Sequence, residues 1–328
     1  MIERIKYKYD IFMQYFIKLN DNKSINIFVK IRYMVGILLN YILFSANIED
    51  YFEFRFYEKT LVEKKRYFTT KESIKFAEIV DDKEALYRLS SKTEMYKQIK
   101  KGVKREQLFT YEMSYEDFYQ FCHKHGKFIY KPDRLDCGRG IEIWDCNCSI
   151  EYLYNKAKKT PAILDEMVIQ HHLLQKLAPG SVNTIRILTI RMKNEIEIIA
   201  AALRMGSGES IVDNFSAGGL AATIDINNGI IKNCAYDSLG NSYKVHPFSN
   251  VVIQGFEIPN WDNILYFVKE CAKEFPLNYV AWDVAVREAD CVIIEANPHG
   301  MIHVIQLEDT MGRKKQYQDL LKKYQEES

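Results

Sequence analysis

Ala281-Trp282-Asp283-Val284-Ala285 and Ile294-Glu295-Ala296-Asn297 are two apolar runs that carry an acid or an amide at alternate positions. A hairpin turn centred on Ala289 sets Asp283 directly opposite Glu295. Side chains alternate faces along a strand, so Asn297 joins the two acids. The other face reads Val280, Trp282, Val284 and Val286 against Val292, Ile294 and Ala296, and is apolar. One face thus belongs to a core and the other presents an Asp/Glu/Asn cluster. Like charges directly opposed destabilise a hairpin unless something compensates them. A hard cation is the natural compensator. Oxygen donors favour Mg²⁺ over zinc, and Mg²⁺ held by one or two carboxylates normally also holds substrate phosphates. The plainer alternative, a solvated sheet face, fits poorly with acids set between core-forming neighbours.

Working outward, the spacing predicts a helix over residues 263–275, with Ile264, Phe267, Val268, Cys271 and Phe275 on one face. Strands are expected from Ile185 to Met192 and Ile196 to Leu203 around Lys193-Asn194. Two more, Ala221 to Ile226 and Ile230 to Tyr236, flank Asn227-Asn228-Gly229. Met167 to Leu173 reads as a further strand, leading to Pro179-Gly180. Phe128 to Pro132 and Ile141 to Trp144 read as a hairpin with a flexible tip. Residues 1–85 read as helical, with no Pro and only Gly36 among them. Helical segments continue over residues 71–125, and a charged amphipathic helix closes the chain at roughly 309–325. Helices followed by a mainly antiparallel sheet give an α+β fold with more than one lobe.

The chain has 328 residues, 47% of them hydrophobic, enough for a large core in two or three lobes. Lys+Arg and Asp+Glu nearly balance at 45 and 44, so no global field for nucleic acid exists. Residues 1–110 nevertheless hold 22 Lys/Arg against 15 Asp/Glu. This basic third either faces an anionic surface or carries scattered solvating charge. Seven cysteines without framework spacing read as reduced thiols of a cytoplasmic protein, and no signal-peptide pattern opens the chain. The apolar stretch Tyr33 to Ala46 falls short of the about 20 residues a bilayer span needs. It reads first as a buried helix and second as an interfacial one beside Lys30 and Arg32.

Other residues carry chemistry. Lys131 ends a strand before Cys137-Gly138-Arg139-Gly140, where glycines let backbone N–H groups approach phosphates. This is neither a Walker A motif nor G-x-G-x-x-G. Arg186, in Ser181-Val182-Asn183-Thr184-Ile185-Arg186, and Arg204 lie in apolar strands, where an Arg pairs with a phosphate or a carboxylate. Gly218-Gly219, following Asp213 and Asn214, suits close backbone approach to a ligand. His171 and His172 are expected on opposite faces of a strand, and His123 and His125 have no evident third ligand.

In order and spacing, these segments resemble the ATP-grasp superfamily. The closer resemblance is to the sugar-transfer-associated ATP-grasp family, related to α-L-glutamate ligases. It rests on residues 181–186, on Val-Asp-Asn-Phe-Ser-Ala-Gly-Gly at 212–219, on Trp-Asp-Val-Ala at 282–285 and on the early stretch from Ile48 to Tyr57. The resemblance implies two α+β subdomains clasping ATP, at about 86–170 and 171–328, behind the helical region 1–85. It implies phosphate contacts from Lys92 and Lys131 under the Gly138–Gly140 loop, and an adenine hinge at Gln170, His171 and Leu173. Asn183 and Asn214 join the nucleotide site. Mg²⁺, usually two ions, falls to Asp283, Glu295 and Asn297, and Arg186 and Arg204 hold the transferred phosphoryl group. The implied reaction joins a carboxylate to an amine through an acyl phosphate, on a sugar or glycan precursor in bacterial polysaccharide synthesis. Peripheral contact with the membrane or with the synthesis machinery goes with that setting. The sequence departs from the family after Asn297, at Pro298-His299-Gly300-Met301, on the substrate side. Two other readings remain: a kinase acting on a hydroxyl, and a non-catalytic nucleotide-binding module.

Overall fold

The computed structural model describes residues 2–20, 26–135, 138–208, 213, 215, 218–300, 302–307 and 312–327. Eight helices come first: α1 Ile2–Leu19, α2 Ile27–Phe44, α3 Ile48–Glu53, α4 Leu61–Lys64, α5 Thr70–Val80, α6 Lys83–Leu89, α7 Lys92–Gln98 and α8 Lys100–Val103. Side-chain caps explain the many short elements. Asn47 with Asp50, and Thr60 with Glu63, form capping boxes that satisfy the first free N–H groups of α3 and α4.

A four-stranded antiparallel sheet follows, built from β1 Gln107–Phe109, β2 Lys127–Pro132, β3 Glu142–Asp145 and β4 Ala162–Glu166 in the order β1-β4-β2-β3. Helices α9 Tyr115–His125 and α10 Ile150–Ala157 complete this lobe. Its small core gathers Phe118, Phe121, Phe128, Trp144 and Leu164.

After α11 His172–Leu177, a seven-stranded antiparallel sheet contains β5 Thr184–Arg191, β6 Ile196–Met205, β7 Leu220–Ile224, β8 Ala235–Tyr236 and β9 Ser242–Tyr243. Helix α12 Trp261–Glu274 leads to β10 Tyr279–Val286 and β11 Cys291–Asn297, and α13 Lys314–Glu327 closes the chain. The strand order β11-β10-β5-β6-β7-β8-β9 places the 281–297 hairpin at one edge. Trp282 and Tyr279 are fully buried there, and α12 covers the sheet with Trp261, Ile264, Val268 and Ala272.

The α+β class, the helical start and the principal strands agree with the sequence reading. Four local expectations are corrected. Met167–Leu173 is not a strand. The ladder belongs to Ala162–Glu166, and after an irregular stretch His171 caps α11. Ile230 to Tyr236 shrinks to Ala235–Tyr236, because Ile231 exchanges backbone hydrogen bonds with residues 255 and 256 instead. The closing helix begins at Lys314, and the start expected at 309 lies outside the described residues. The 33–46 stretch forms α2 as far as Phe44 and is for the most part not buried: Leu38 is 58% and Ile42 66% exposed, while Asn40 and Ala46 are covered.

The helical start is tied to the main sheet by an ion cluster. His303, in the turn His303–Ile305 beyond β11, bonds Asp50 Oδ1 through Nε2 at 2.8 Å and pairs with Glu53 Oε2 through Nδ1 at 3.1 Å. Burial opposes its charge, but Glu53 and Asp50 overcome this and push its pKa from 6.5 up to about 9. A folded pKa raised in this way stabilises fully below pH 6.5, and that stability is lost as pH rises through 9. Wild type is expected to exceed His303→Gln by about 3 kcal/mol at pH 6, with the gap shrinking as pH rises from 6.5 and lost by about pH 9. Chemical denaturation across that range checks this, and a gap independent of pH contradicts it.

Candidate active site

Asp283 faces Glu295 in the β10–β11 ladder, as the turn at Ala289 predicts, and Asn297 faces Ala281 on the same side. The Asn297 amide lies 3.4 Å from Asp283 Oδ2. Between this pair and the turn the register slips by one, with Val284 opposite Ile293, so Ile294 is the extra residue of a bulge. This corrects the apolar face: Ile293 is fully buried in it, whereas Ile294 is only half-buried.

Both acids are neutralised by side chains. Arg186 lies opposite Asp283 across β5–β10 and holds it bidentately, Nε to Oδ1 at 2.6 Å and Nη2 to Oδ2 at 2.8 Å. Arg204 adds a bond to Oδ2 at 2.8 Å and another to Asp213 Oδ1 at 3.0 Å. Burial would raise the Asp283 pKa, but the two guanidiniums hold it below the usual carboxylate range. Glu295 instead pairs with Lys92, Nζ to Oε1 at 2.9 Å. Lys92 opens α7 and also donates to the Leu135 carbonyl at 2.9 Å. Lys92, Arg134, Glu295, Asn297 and His299 line one cleft of about 460 Å³. Just beyond it the chain turns at Gly300 (φ +78°), where a Cβ would lie 2.2 Å from the Tyr279 hydroxyl.

Lys131 lies in the four-stranded lobe and is buried against Asp165 of β4, with the Tyr96 hydroxyl 3.3 Å away. Arg105 grips the same carboxylate, Nε to Oδ1 at 2.7 Å and Nη2 to Oδ2 at 2.9 Å. Burial would raise the Asp165 pKa, yet Arg105 and Lys131 hold it at about 2. Arg105 Nη1 also donates to the Ile293 carbonyl at 2.7 Å, and the Tyr96 hydroxyl donates to that of Ile294. The bulge thus supplies the two carbonyls through which the smaller lobe holds the strand that carries Glu295.

Gly138 and Gly140 adopt φ values of +71° and +70° in the loop between β2 and β3. Gln170 is buried, and its side chain is spent internally. It donates to the Ser181 carbonyl at 2.6 Å and accepts from the Asn183 backbone N–H at 2.9 Å. Asn183 is wholly buried and donates to the Leu174 and Ala178 carbonyls. Leu173 is partly exposed on α11. Asn214 lies outside the described residues. His171 and His172 do not point apart as expected. Their rings stack 4.5 Å apart and both face Glu288, because the chain leaves extended geometry at His171 to enter α11. The His123 ring lies tilted against that of Tyr119, 4.3 Å between centroids, while His125 pairs with Glu106.

Asp165, Arg105 and Tyr96 escaped the sequence reading. Asp165 left one signal, an acid ending the apolar run Ala162-Ile163-Leu164. Arg105, between Lys104 and Glu106, looks like any solvated charge.

The model of the sugar-transfer associated ATP-grasp family matches residues 63–321, and the chain belongs to that family. A comparison with curated proteins returned no match. Among solved structures, the ATP-grasp ligase PsnB with a precursor variant, Mg and ADP is 12% identical. The similarity covers 79% of this chain and 66% of that one, with a TM-score of 0.45. A Chryseobacterium gregarium RiPP-associated ATP-grasp ligase, bound to ADP and a leader and core peptide, is 13% identical over 79% and 68%, TM-score 0.46. Carboxyaminoimidazole ribonucleotide synthase from Aspergillus clavatus with ATP is 12% identical over 65% and 45%, TM-score 0.40.

Asp165→Asn leaves Arg105 and Lys131 buried without their shared counter-charge. The substitution is expected to cost about 3–5 kcal/mol in urea denaturation. A cost under about 1 kcal/mol would show that the two cations find other partners.

Proposed function

We propose that this chain is an ATP-dependent carboxylate–amine ligase that works through an acyl phosphate. One observation carries the reading: a carboxylate, an amide oxygen and a lysine meet in a single cleft, backed by two buried arginines. The donor set fits Mg²⁺, since Glu295, Asn297 and Asp283 offer only oxygen on one sheet face. Glu295 and Asn297 reach the cleft directly, and Asp283 is shared with the arginines. Bound there, Mg²⁺ would supply charge neutralisation for the phosphates.

The remaining roles belong to the chain's own side chains. Lys92, now on Glu295, and Lys131, now on Asp165, are the cations a polyphosphate would recruit. Gln170, His171 and Leu173 would flank adenine through their backbone, since the Gln170 side chain already braces Asn183. Asn183 then acts by shaping the site, and Asn214 keeps the role of a nucleotide contact that the family resemblance implies. Arg186 and Arg204, held rigid by Asp283, would face the charge that develops on the transferring phosphoryl group. A carboxylate is a poor electrophile. Phosphorylation turns its oxygen into a leaving group, which an amine nitrogen displaces as the C–N bond forms and phosphate departs. The protein contributes positioning and charge rather than a covalent nucleophile. The loop at Gly138 and Gly140 would close over the site and keep water from the acyl phosphate.

We assign 1–85 to a helical region and 86–170 and 171–328 to the two nucleotide-clasping lobes. We place its substrate, a sugar or glycan precursor, in bacterial cell-surface polysaccharide synthesis on the cytoplasmic side; the family's description, sugar-transfer associated, supports the sugar part of this reading.

Calorimetric titration with a non-hydrolysable ATP analogue is expected to show Mg²⁺-dependent binding, weakened at least about five-fold by Glu295→Gln in a folded protein. Absence of binding to folded wild type sinks the catalytic reading. Hydroxylamine added during ATP turnover with a carboxylate panel is expected to yield hydroxamate. ATP consumption without hydroxamate would point to phosphorylation of a hydroxyl instead.

A further inference from the structure

Helix α2 is apolar on nearly every side, yet the protein covers only one narrow stripe of it. Tyr33 stacks on Phe52 at 5.9 Å and meets Phe16 edge-on at 5.6 Å. Gly36 lies where any Cβ would strike the Tyr51 hydroxyl, at 2.4 Å. Asn40 is buried and bonds back to the Gly36 carbonyl, and Phe44 meets Phe56 at 6.2 Å. These positions follow a spacing of three and four, so α1, α3 and the turn after α3 hold α2 from Tyr33 to Phe44.

The rest of the helix is open. Eleven large apolar side chains between Ile27 and Leu43 are exposed, among them Phe28 at 73%, Leu38 at 58%, Ile42 at 66% and Leu43 at 60%. Soluble monomers rarely show apolar patches beyond about 300–600 Å². A helix apolar all round is normally surrounded by protein or by lipid.

Charge and fastening decide what covers it. Residues 1–45 hold seven Lys/Arg and three Asp/Glu. Lys30 and Arg32 sit at the start of α2, with the Lys30 ammonium 4.8 Å above the Tyr9 ring. Near its other end, the Lys71 ammonium lies 5.6 Å from the Tyr41 ring. Cations paired with tyrosines at both ends of an apolar helix are the composition of a membrane–water interface. The helix has 18 residues, nearly the length of a bilayer span. The stripe from Tyr33 to Phe44 nevertheless binds it lengthwise to a domain with buried Asp50 and Glu53, which a spanning orientation would drag into hydrocarbon.

We propose that α2 is an in-plane anchor that seats this protein on an anionic membrane surface. Phe28, Ile31, Val35, Leu38 and Ile42 enter the acyl boundary, while Lys30, Arg32 and Lys71 meet the headgroups. The inference does not depend on the ligase reading. Its test is flotation of the full chain with vesicles of phosphatidylcholine alone or with a third of phosphatidylglycerol.

Wild type is expected to float with the anionic vesicles, and at least about five-fold less with the neutral ones. Leu38→Glu with Ile42→Glu should abolish flotation while thermal unfolding and nucleotide titration stay unchanged. Lys30→Glu with Arg32→Glu should remove the preference for anionic lipid. The proposal is overturned if wild type stays at the bottom of both gradients. It is equally overturned if the Leu38/Ile42 variant floats as well as wild type, or if the protein resists alkaline carbonate extraction as a spanning helix does. Self-association in sedimentation that the same variant removes, without any flotation, would assign the face to a second copy.

Discussion

Two carboxylates face each other across a hairpin whose reverse side is core, and the surrounding structure exists largely to neutralise them. Asp283 is buried too deeply for water to screen it, and two guanidiniums from β5 and β6 do so instead. Glu295, one strand nearer the edge, is left to the single charge of Lys92 and to the cleft. The same opposition therefore yields a doubly neutralised acid at Asp283 and a singly paired one, open to the cleft, at Glu295. Removing one partner of a buried ion cluster costs far more than the intact cluster adds, because the survivor stays charged and unpaired. This asymmetry holds Arg186 and Arg204 on Asp283.

The smaller lobe repeats the device with Asp165 between Arg105 and Lys131, and then extends it across the lobe boundary. A single extra residue, Ile294, frees the Ile293 and Ile294 carbonyls from the ladder, and Arg105 and Tyr96 take them. The bulge therefore holds the Glu295 strand against the lobe that carries Lys131. The third cluster, Asp50–Glu53–His303, fastens α3 to the turn beyond Asn297. Thus three buried ionic groups connect the helical region, the small lobe and the large sheet at points adjoining the same strand. An orientation imposed on the helical start by α2 would in this way be carried to the rim of the cleft.

The hairpin face was legible in the sequence because strand periodicity is strict and the turn residues are few. Asp283 opposite Glu295 follows from counting, and the helix at Trp261–Glu274 from spacing alone. The bulge at Ile294 was not legible, since an apolar residue inserted among apolar residues leaves the pattern intact. Neither was the strand Ala162–Glu166, whose apolar run is matched by the equally apolar run just after it. His171 and His172 were set on opposite faces by assuming a strand, and a helix N-terminus reversed that geometry.

The sequence by itself determined the α+β class, the family motifs and the oxygen-rich face, because alternation and short-range turn chemistry are local properties. Only the tertiary structure decided which cation answers each acid. Arg186 and Asp283 are 97 residues apart, Lys92 and Glu295 farther still, and charges alone do not encode their partners. It also decided that α2 lies outside the core. An apolar helix has the same composition whether protein or lipid surrounds it, and only the shape of what packs against it tells the two apart.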